Sequence, residues 1–441
     1  MGFFKRKKSK MKFENEPRQR GRVRKVLSFM MAVPMDCLVL EDRQAMLERV
    51  NHIEGVVVQK VQDSTNGEDQ LIFLHYLGEE YIVGFTVDTY ECSDDYNKQH
   101  LFSKREQQAI KQGQEGLLTW LVFGESNVNS FHLQLKLLDA FVPNMAAIID
   151  FTGEKMVSGR WVKLAVKSKV PSAVTYLYSI HAVSNQEGEV WLHTHGLTRC
   201  GGIDLEILGL TIDNFRALES VLLSLSERIV TNSELEDEEV PIYTAQLTQD
   251  QVLITTWIGY KRALSLYPQI SLGTEEDRED SHNENRGVLF CYPTEEEYRN
   301  HQFVPIDRYE KILEDNPIIY YTAEETERMR LLATERFCYL EELYQRGDEE
   351  QVILIKVGLE VDETYVQNGD EKEHLWFQAD QIDSKRGVFH GTLTQEPYFI
   401  EGFHEGDEKE LSFTQMTDWI VFSKQYGEIT PDTVYQMKEE F

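Results

Sequence analysis

No run of 18 uncharged apolar residues occurs in the 441-residue chain, so the sequence offers no transmembrane helix. No CxxC pair occurs either. The cysteines are five, Cys37, Cys92, Cys200, Cys291 and Cys338, an odd set in mostly apolar contexts. That argues against a disulfide framework and fits reduced thiols in the cytoplasm, the expected location. Also missing are H-E-x-x-H, a P-loop, G-x-S-x-G and G-x-G-x-x-G, which removes the commonest metalloprotease, NTPase, hydrolase and dinucleotide fingerprints. Basic residues are scarce beyond the first 25 positions. Those 25 hold eleven Lys/Arg against two Glu, a net of +9, so the rest must carry −40 for the chain to total −31. A body that acidic repels polyanions, which excludes nucleic-acid binding through the folded part.

What is present is enough apolar and aromatic material, 41% and 11% of residues, to build sizeable cores. The length calls for two or three of them. Residues 1–25 read as a disordered basic tail, able to make weak contact with RNA or with an anionic membrane surface, where Phe3 and Phe4 would form a small apolar hook. Export is not expected: Pro34 and Asp36 cut short the apolar run at 26–35, and no A-x-A site follows. Asp36 also argues against a lipidated Cys37, and Gly2 lacks the Ser or Thr that myristoylation prefers.

Periodicity then divides the chain. Strands are predicted at 56–61, 71–76, 81–87 and 145–151, with a helix opened by the capping box Ser103-Lys-Arg-Glu106. A long amphipathic helix is predicted at 212–230, with Phe215, Leu218, Leu222, Leu225 and Ile229 as its stripe. Another runs from the capping box Thr322-Ala-Glu-Glu325 to about Gln345. Beyond it, β-rich runs at 352–361, 373–382, 387–393 and 410–422 alternate with turns, and Thr430-Pro431-Asp432 opens a short terminal helix. The expected fold is α+β: antiparallel sheets with helices packed on one face, then a small β-rich C-terminal barrel or meander. The expected domains are the tail at 1–25, an α+β domain at 26–233, a second α+β segment at 240–347, either separate or continuous with the first, and the β-rich domain at 350–441.

One stretch concentrates chemistry. Residues 189–208, EVWLHTHGLTRCGGIDLEIL, read as strand, glycine-shaped reversal and strand. Two-residue periodicity sets Trp191, His193 and His195 on one face. His193, His195 and Cys200 are the donor types zinc favours, and His181, Asp204 or Glu206 would complete the set. Apart from zinc there, no cofactor is expected. The spacing matches no known mechanism: a JAMM-type site needs a serine soon after its HxH, and none occurs between His195 and Ser220. The residues therefore favour the plainer reading, histidines hydrogen-bonded at the edge of the core and Cys200 as a small buried hydrophobe. A second constellation, Glu373-His374 with Asp418-Trp419, suits turn and core roles better than acid–base work.

The C-terminal segment, through Glu373-His374-Leu375-Trp376, Gly391-Thr392-Leu393, Glu396-Pro397, Gly406-Asp407 and Thr417-Asp418-Trp419-Ile420, resembles the YegJ-type family of small bacterial domains of unknown function. The 189–208 stretch, with Ser28-Phe-Met-Met-Ala-Val-Pro34 upstream, resembles an uncharacterised bacterial domain found fused in front of such modules. Neither resemblance brings catalytic residues. The expected function is that of an uncharacterised bacterial protein with a non-enzymatic interaction or regulatory role, immunity-like in character, acting on a protein partner. The alternative is a metal-dependent hydrolase centred on His193 and His195.

Overall fold

The computed structural model describes residues 25–63, 69–91, 96–232, 235–248, 251–278, 282, 285–315, 323–347, 350–366 and 372–437. The basic tail up to residue 24, Cys92, residues 64–67 of the turn after Asp63, and Thr322 of the second capping box lie outside them. Among the described residues no helix is long and apolar enough to cross a membrane.

Three sheets follow one another along the chain. The first comprises β1 (Leu27–Pro34), β2 (Val56–Asp63), β3 (Gln70–Tyr76), β4 (Glu79–Thr89), β5 (Asn97–Lys98), β6 (Glu115–Val122), β7 (Met145–Asp150) and β8 (Lys155–Ser158). Their spatial order is β2-β3-β4-β6-β1-β7-β8-β5, antiparallel except for the β5/β8 pair. Four helices accompany them: α1 (Arg43–Val50), α2 (Lys104–Gln112), α3 (Asn127–Phe141) and α4 (Gly159–Ala165). β1 is central because it is apolar on both sides. Met30 and Ala32 join the core that contains Phe131 and Leu135 of α3, while Met31 and Val33 join the one that contains Ile110 of α2. The expected capping box is formed at α2, with the Glu106 amide donating to Ser103 Oγ at 3.1 Å and the Ser103 amide to Glu106 Oε2 at 2.7 Å.

The second sheet comprises β9 (Ser179–Ser184), β10 (Glu189–His195), β11 (Asp204–Thr211), β12 (Ile242–Gln246), β13 (Val252–Gly259), β14 (Arg286–Cys291) and β15 (Val304–Pro305). Its path is β12-β13-β14-β11-β10-β9, with β15 against β14 and a parallel β11/β14 pair at the centre. Helix α5 (Phe215–Asn232) buries the anticipated stripe of Leu218, Leu222, Leu225 and Ile229. The acidic segment after it leads into β12 of the same sheet. Short helices α6 (Tyr260–Leu264), α7 (Glu295–Arg299) and α8 (Glu310–Asp315) follow.

The helix expected to run unbroken to Gln345 is two, α9 (Ala323–Glu335) and α10 (Phe337–Arg346). The break falls at Arg336, which leaves helical geometry (φ −99°, ψ 14°) and turns its buried guanidinium to the Pro431 carbonyl. The third sheet holds β16 (Val352–Glu360), β17 (Lys372–Asp383), β18 (Val388–Leu393), β19 (Glu408–Ser412), β20 (Met416–Ser423) and β21 (Gly427–Ile429). It is an open antiparallel sheet, ordered β19-β18-β17-β16-β20-β21. The run expected at 410–422 is thus two strands, separated by the turn at Phe413–Gln415. Trp419 fills the core there and its indole N–H donates to Ala333 of α9.

A buried ion pair joins the first two sheets. Asp150 ends β7, and Arg199 lies in the turn between β10 and β11. The guanidinium donates to both carboxylate oxygens at 2.9 and 2.8 Å, to Leu177 O at 3.0 Å and to Ser28 Oγ at 3.2 Å. Removing one partner strands the other charge in the interior. Asp150→Leu is expected to destabilise the chain by about 3–5 kcal/mol in urea unfolding. The double variant Asp150→Leu/Arg199→Met should be less destabilised than the single one.

Candidate functional site

The histidine strand is positioned from both sides. Gly188, at φ +83°, closes the β9–β10 turn, and Asn185 Oδ1 accepts from the Glu187 and Glu189 amides at 3.0 Å. After β10, Gly196 adopts φ +101°, and a Cβ there would meet Leu177 O at 2.8 Å, so the reversal needs glycine. Register then sets His193 opposite His181 of β9 and opposite Glu206 of β11. Side chains directly across an antiparallel pair share a face, so these groups form one polar row with His195 and Trp191 beside it.

Four imidazoles gather on this face. Ring centroids lie 4.8 Å apart for His181 and His195, 5.0 Å for His193 and His195, and 5.6 Å for His181 and His193. His282 stands 4.9 Å from both His193 and His195, and the Trp191 ring 4.1 Å from His193. Burial holds His193 and His195 well below the ordinary histidine range, helped by the Arg286 charge, and burial also lowers His181. Burial therefore favours the neutral form of His181, His193 and His195, the form in which imidazole binds metals.

Its hydrogen bonding is incomplete. His181 Nε2, His193 Nδ1 and His195 Nε2 are buried with no partner among the described residues. Buried polar atoms are normally satisfied, so three orphans in one cluster call for a ligand. One donor atom from each of the three residues lies within 4.8 Å of the others, and Glu154, His195 and His282 form a second such set. At that outer limit the point equidistant from three donors is about 2.8 Å from each, roughly 0.7 Å longer than a zinc–nitrogen bond. Binding would draw each donor atom inward by up to about that distance.

Of the residues named for completing the site, only His181 joins the two histidines. Cys200 lies wholly buried in the main apolar core, its thiol pushed up to about 12 by burial, and is in neither donor set. Asp204 accepts from Thr194 Oγ1 and the Leu197 amide, both at 3.1 Å, shaping the reversal. Glu206 is taken by Arg278, which donates to both its oxygens at 2.7 and 2.6 Å, and by Trp191 Nε1 at 3.2 Å. Sequence reasoning missed Glu154 and His282. Glu154 sits in the β7–β8 turn of the first sheet, at φ +45°, with Oε1 3.1 Å from His195 Nδ1. His282, from a stretch read as a solvated loop, brings Nε2 to 3.3 Å from His193 Nε2. Neither has a local sequence signal, because each meets the cluster only through the fold.

In the third sheet, Glu373 accepts from the Tyr398 and Phe399 amides at 2.7 and 3.0 Å, and His374 meets Thr417 Oγ1 at 3.1 Å. The two do not form a carboxylate–histidine pair. Asp418 accepts from its neighbour Trp419, and burial raises its carboxyl to about 6.

Three family models match along the chain. Residues 28–172 match the model described as protein of unknown function (DUF4026) N-terminal, and residues 180–290 its C-terminal counterpart. Residues 337–440 match DUF2314, an uncharacterized protein conserved in bacteria. The chain carries both DUF4026 domains and a DUF2314 domain. No curated protein and no solved structure matches it. The expected fusion of uncharacterised bacterial domains is thus found. The four histidines fall inside the DUF4026 C-terminal match, and Glu154 comes from the N-terminal one.

Because the cluster histidines titrate below their unfolded values, the unfolded chain takes up protons first as pH falls. Their contribution to stability is complete above about pH 6.5 and is lost below it. The urea midpoint is expected to fall between pH 7.5 and 5.5, and His193→Asn should make that fall shallower.

Proposed function

We propose that the chain binds one divalent transition-metal ion, zinc for preference, through His181, His193 and His195, and that the second sheet is a metal-dependent hydrolytic module. The observation that carries this reading is that one ring nitrogen from each of His181, His193 and His195 lies within 4.8 Å of the others, while each of these rings keeps one buried nitrogen with no hydrogen-bond partner among the described residues. His181 and His193 line a cleft of about 590 Å³ together with Glu154 and His282. Three protein nitrogens with an open side match the ligand pattern of catalytic rather than structural zinc. Bound there, the metal would supply a water that ionises near pH 7.

The chain's own residues support the same role. His195 Nδ1 lies 3.1 Å from Glu154 Oε1 and 3.2 Å from Arg286 Nη2, and a neutral imidazole satisfies only one of them through that atom. Donating Nδ1–H to Glu154 leaves Nε2 as the ligand, the carboxylate–histidine arrangement that orients metal-binding imidazoles. Arg278 and Arg286 do not repel a cation unopposed, since Glu206 lies 2.6 and 3.5 Å from them.

The test is zinc titration of the purified chain by calorimetry with elemental analysis. One ion per chain is expected. His181→Ala, His193→Ala and His195→Ala should each weaken binding more than about a hundredfold, beyond the 10–100-fold typical of outer-shell changes. Cys200→Ala should leave the stoichiometry at one. Folded protein that takes up no zinc sinks the proposal. A second reading, a non-enzymatic, immunity-like interaction or regulatory protein of the cytoplasm, draws on the charge of −31, which would steer a basic protein partner. Zinc uptake without turnover of ester or phosphoester chromogens would favour it.

A further inference from the structure

Terminal strands of a sheet invite pairing with another chain unless charge, proline, a bulge or brevity blunts them. Among the described residues almost every edge is blunted. β2 carries Lys60 and Asp63 and shifts register between Val58 and Lys60. β5 has two residues and ends in Lys98, and β15 has two and ends in Pro305. β12 shifts register between Tyr243 and Ala245. β19 begins Glu-Lys-Glu, and β21 has three residues including Glu428. The exception is β9. Its sequence, Ser-Ile-His-Ala-Val-Ser, has no formally charged residue, proline or glycine, and it pairs with β10 in unbroken register over all six positions.

That edge borders the histidine cleft. Ile180, His181, Ala182 and Val183 form one side, and Leu272, Asp277 and His282 contribute to the rest of the lining. Ala182, Val183 and Ser184 are exposed, whereas the Ser179 end is tied down, its hydroxyl donating to Gly153 O at 2.5 Å. A strand laid along the exposed half therefore leads toward His181 and Glu154. The cleft's volume lies within the roughly 300–1,000 Å³ of ligand sites.

We infer that β9 accepts an extended peptide segment of neutral to basic sequence as an added strand. Backbone pairing supplies the affinity, and alternate side chains of the peptide face the cleft beside Val183. The preference for a basic or neutral peptide follows from Glu154 and Asp277 in the cleft lining and from the net charge of the chain. This goes beyond the metal reading and does not rest on it, because strand pairing needs no ion.

The experiment is affinity selection from a pool of random-sequence decapeptides by the full, zinc-free chain. Selected peptides are expected to be rich in lysine or arginine and β-branched residues, and to slow amide hydrogen exchange in residues 180–185. N-methylation at alternate peptide amides should abolish binding. Val183→Lys, which adds the charge other edges carry, should weaken binding at least tenfold without changing zinc uptake, and Val183→Thr should retain binding. An empty selection, or equal binding by Val183→Lys and the parent, overturns the inference. So does a dimer in sedimentation whose 180–185 amides are already protected without peptide, which would assign the edge to a second copy. Peptide binding without zinc uptake, or the reverse, shows which of the two readings has failed.

Discussion

Arg199 is wholly buried, and a guanidinium cannot lose its charge there, so the structure must answer it with a fixed anion. Asp150 is that anion, and its position dictates much else. It ends β7, so the turn that follows is drawn against the β10–β11 reversal carrying Arg199. The same turn holds Glu154 in a left-handed conformation that non-glycine residues rarely adopt. Gly153 O accepts from Ser179 at the start of β9, and Lys155 donates to Tyr176 and Tyr178 carbonyls at 2.6 and 2.7 Å. A turn of one sheet is thereby delivered to the histidine face of the next.

A second buried charge arrangement governs that face. Glu206, with no exposure, binds Arg278 bidentately, while the Arg278 guanidinium lies 5.0 Å above Trp191 and 4.6 Å above Tyr260. The carboxylate in the row that faces His193 is thus consumed by arginine and indole. What remains on that strand face for a ligand is mainly nitrogen, with the Glu154 carboxylate beside His195. This is why the cluster suits a borderline metal ion rather than calcium or magnesium, which seek oxygen. Burial favours the neutral form of His181, His193 and His195, which lets these three rings stand about 5 Å apart without mutual repulsion.

The periodic part of this was legible in the sequence. Alternation gave the shared face of Trp191, His193 and His195, the helical stripe gave α5, and the capping box gave the start of α2. His181 was legible as a neighbour because a hairpin brings nearby strands into register. The rest depended on tertiary geometry. Cys200 is five residues from His195, yet the reversal turns it into the apolar core. Glu154 and His282 are 41 and 87 residues from His195, and nothing in their own segments marks them. The α9–α10 break was hidden because residues 323–346 are periodic throughout. What interrupts the helix is Arg336 reaching Pro431, nearly a hundred residues away.

The cluster draws on both DUF4026 domains. The histidines alone belong to the C-terminal domain, but Glu154, the carboxylate beside His195, comes from the N-terminal one, and the Asp150–Arg199 pair fixes their separation. A C-terminal domain expressed by itself would keep the imidazole face and lose both the carboxylate and the ion pair that seats it. The C-terminal segment after the third sheet meets the N-terminal domain where Tyr435 Oη accepts from the Leu101 amide at 3.0 Å and its ring lies against His100 and Arg160. It leaves β9 and the cleft uncovered. The candidate site thus draws its side chains from two of the three matched domains, and none of the residues lining its cleft comes from the third.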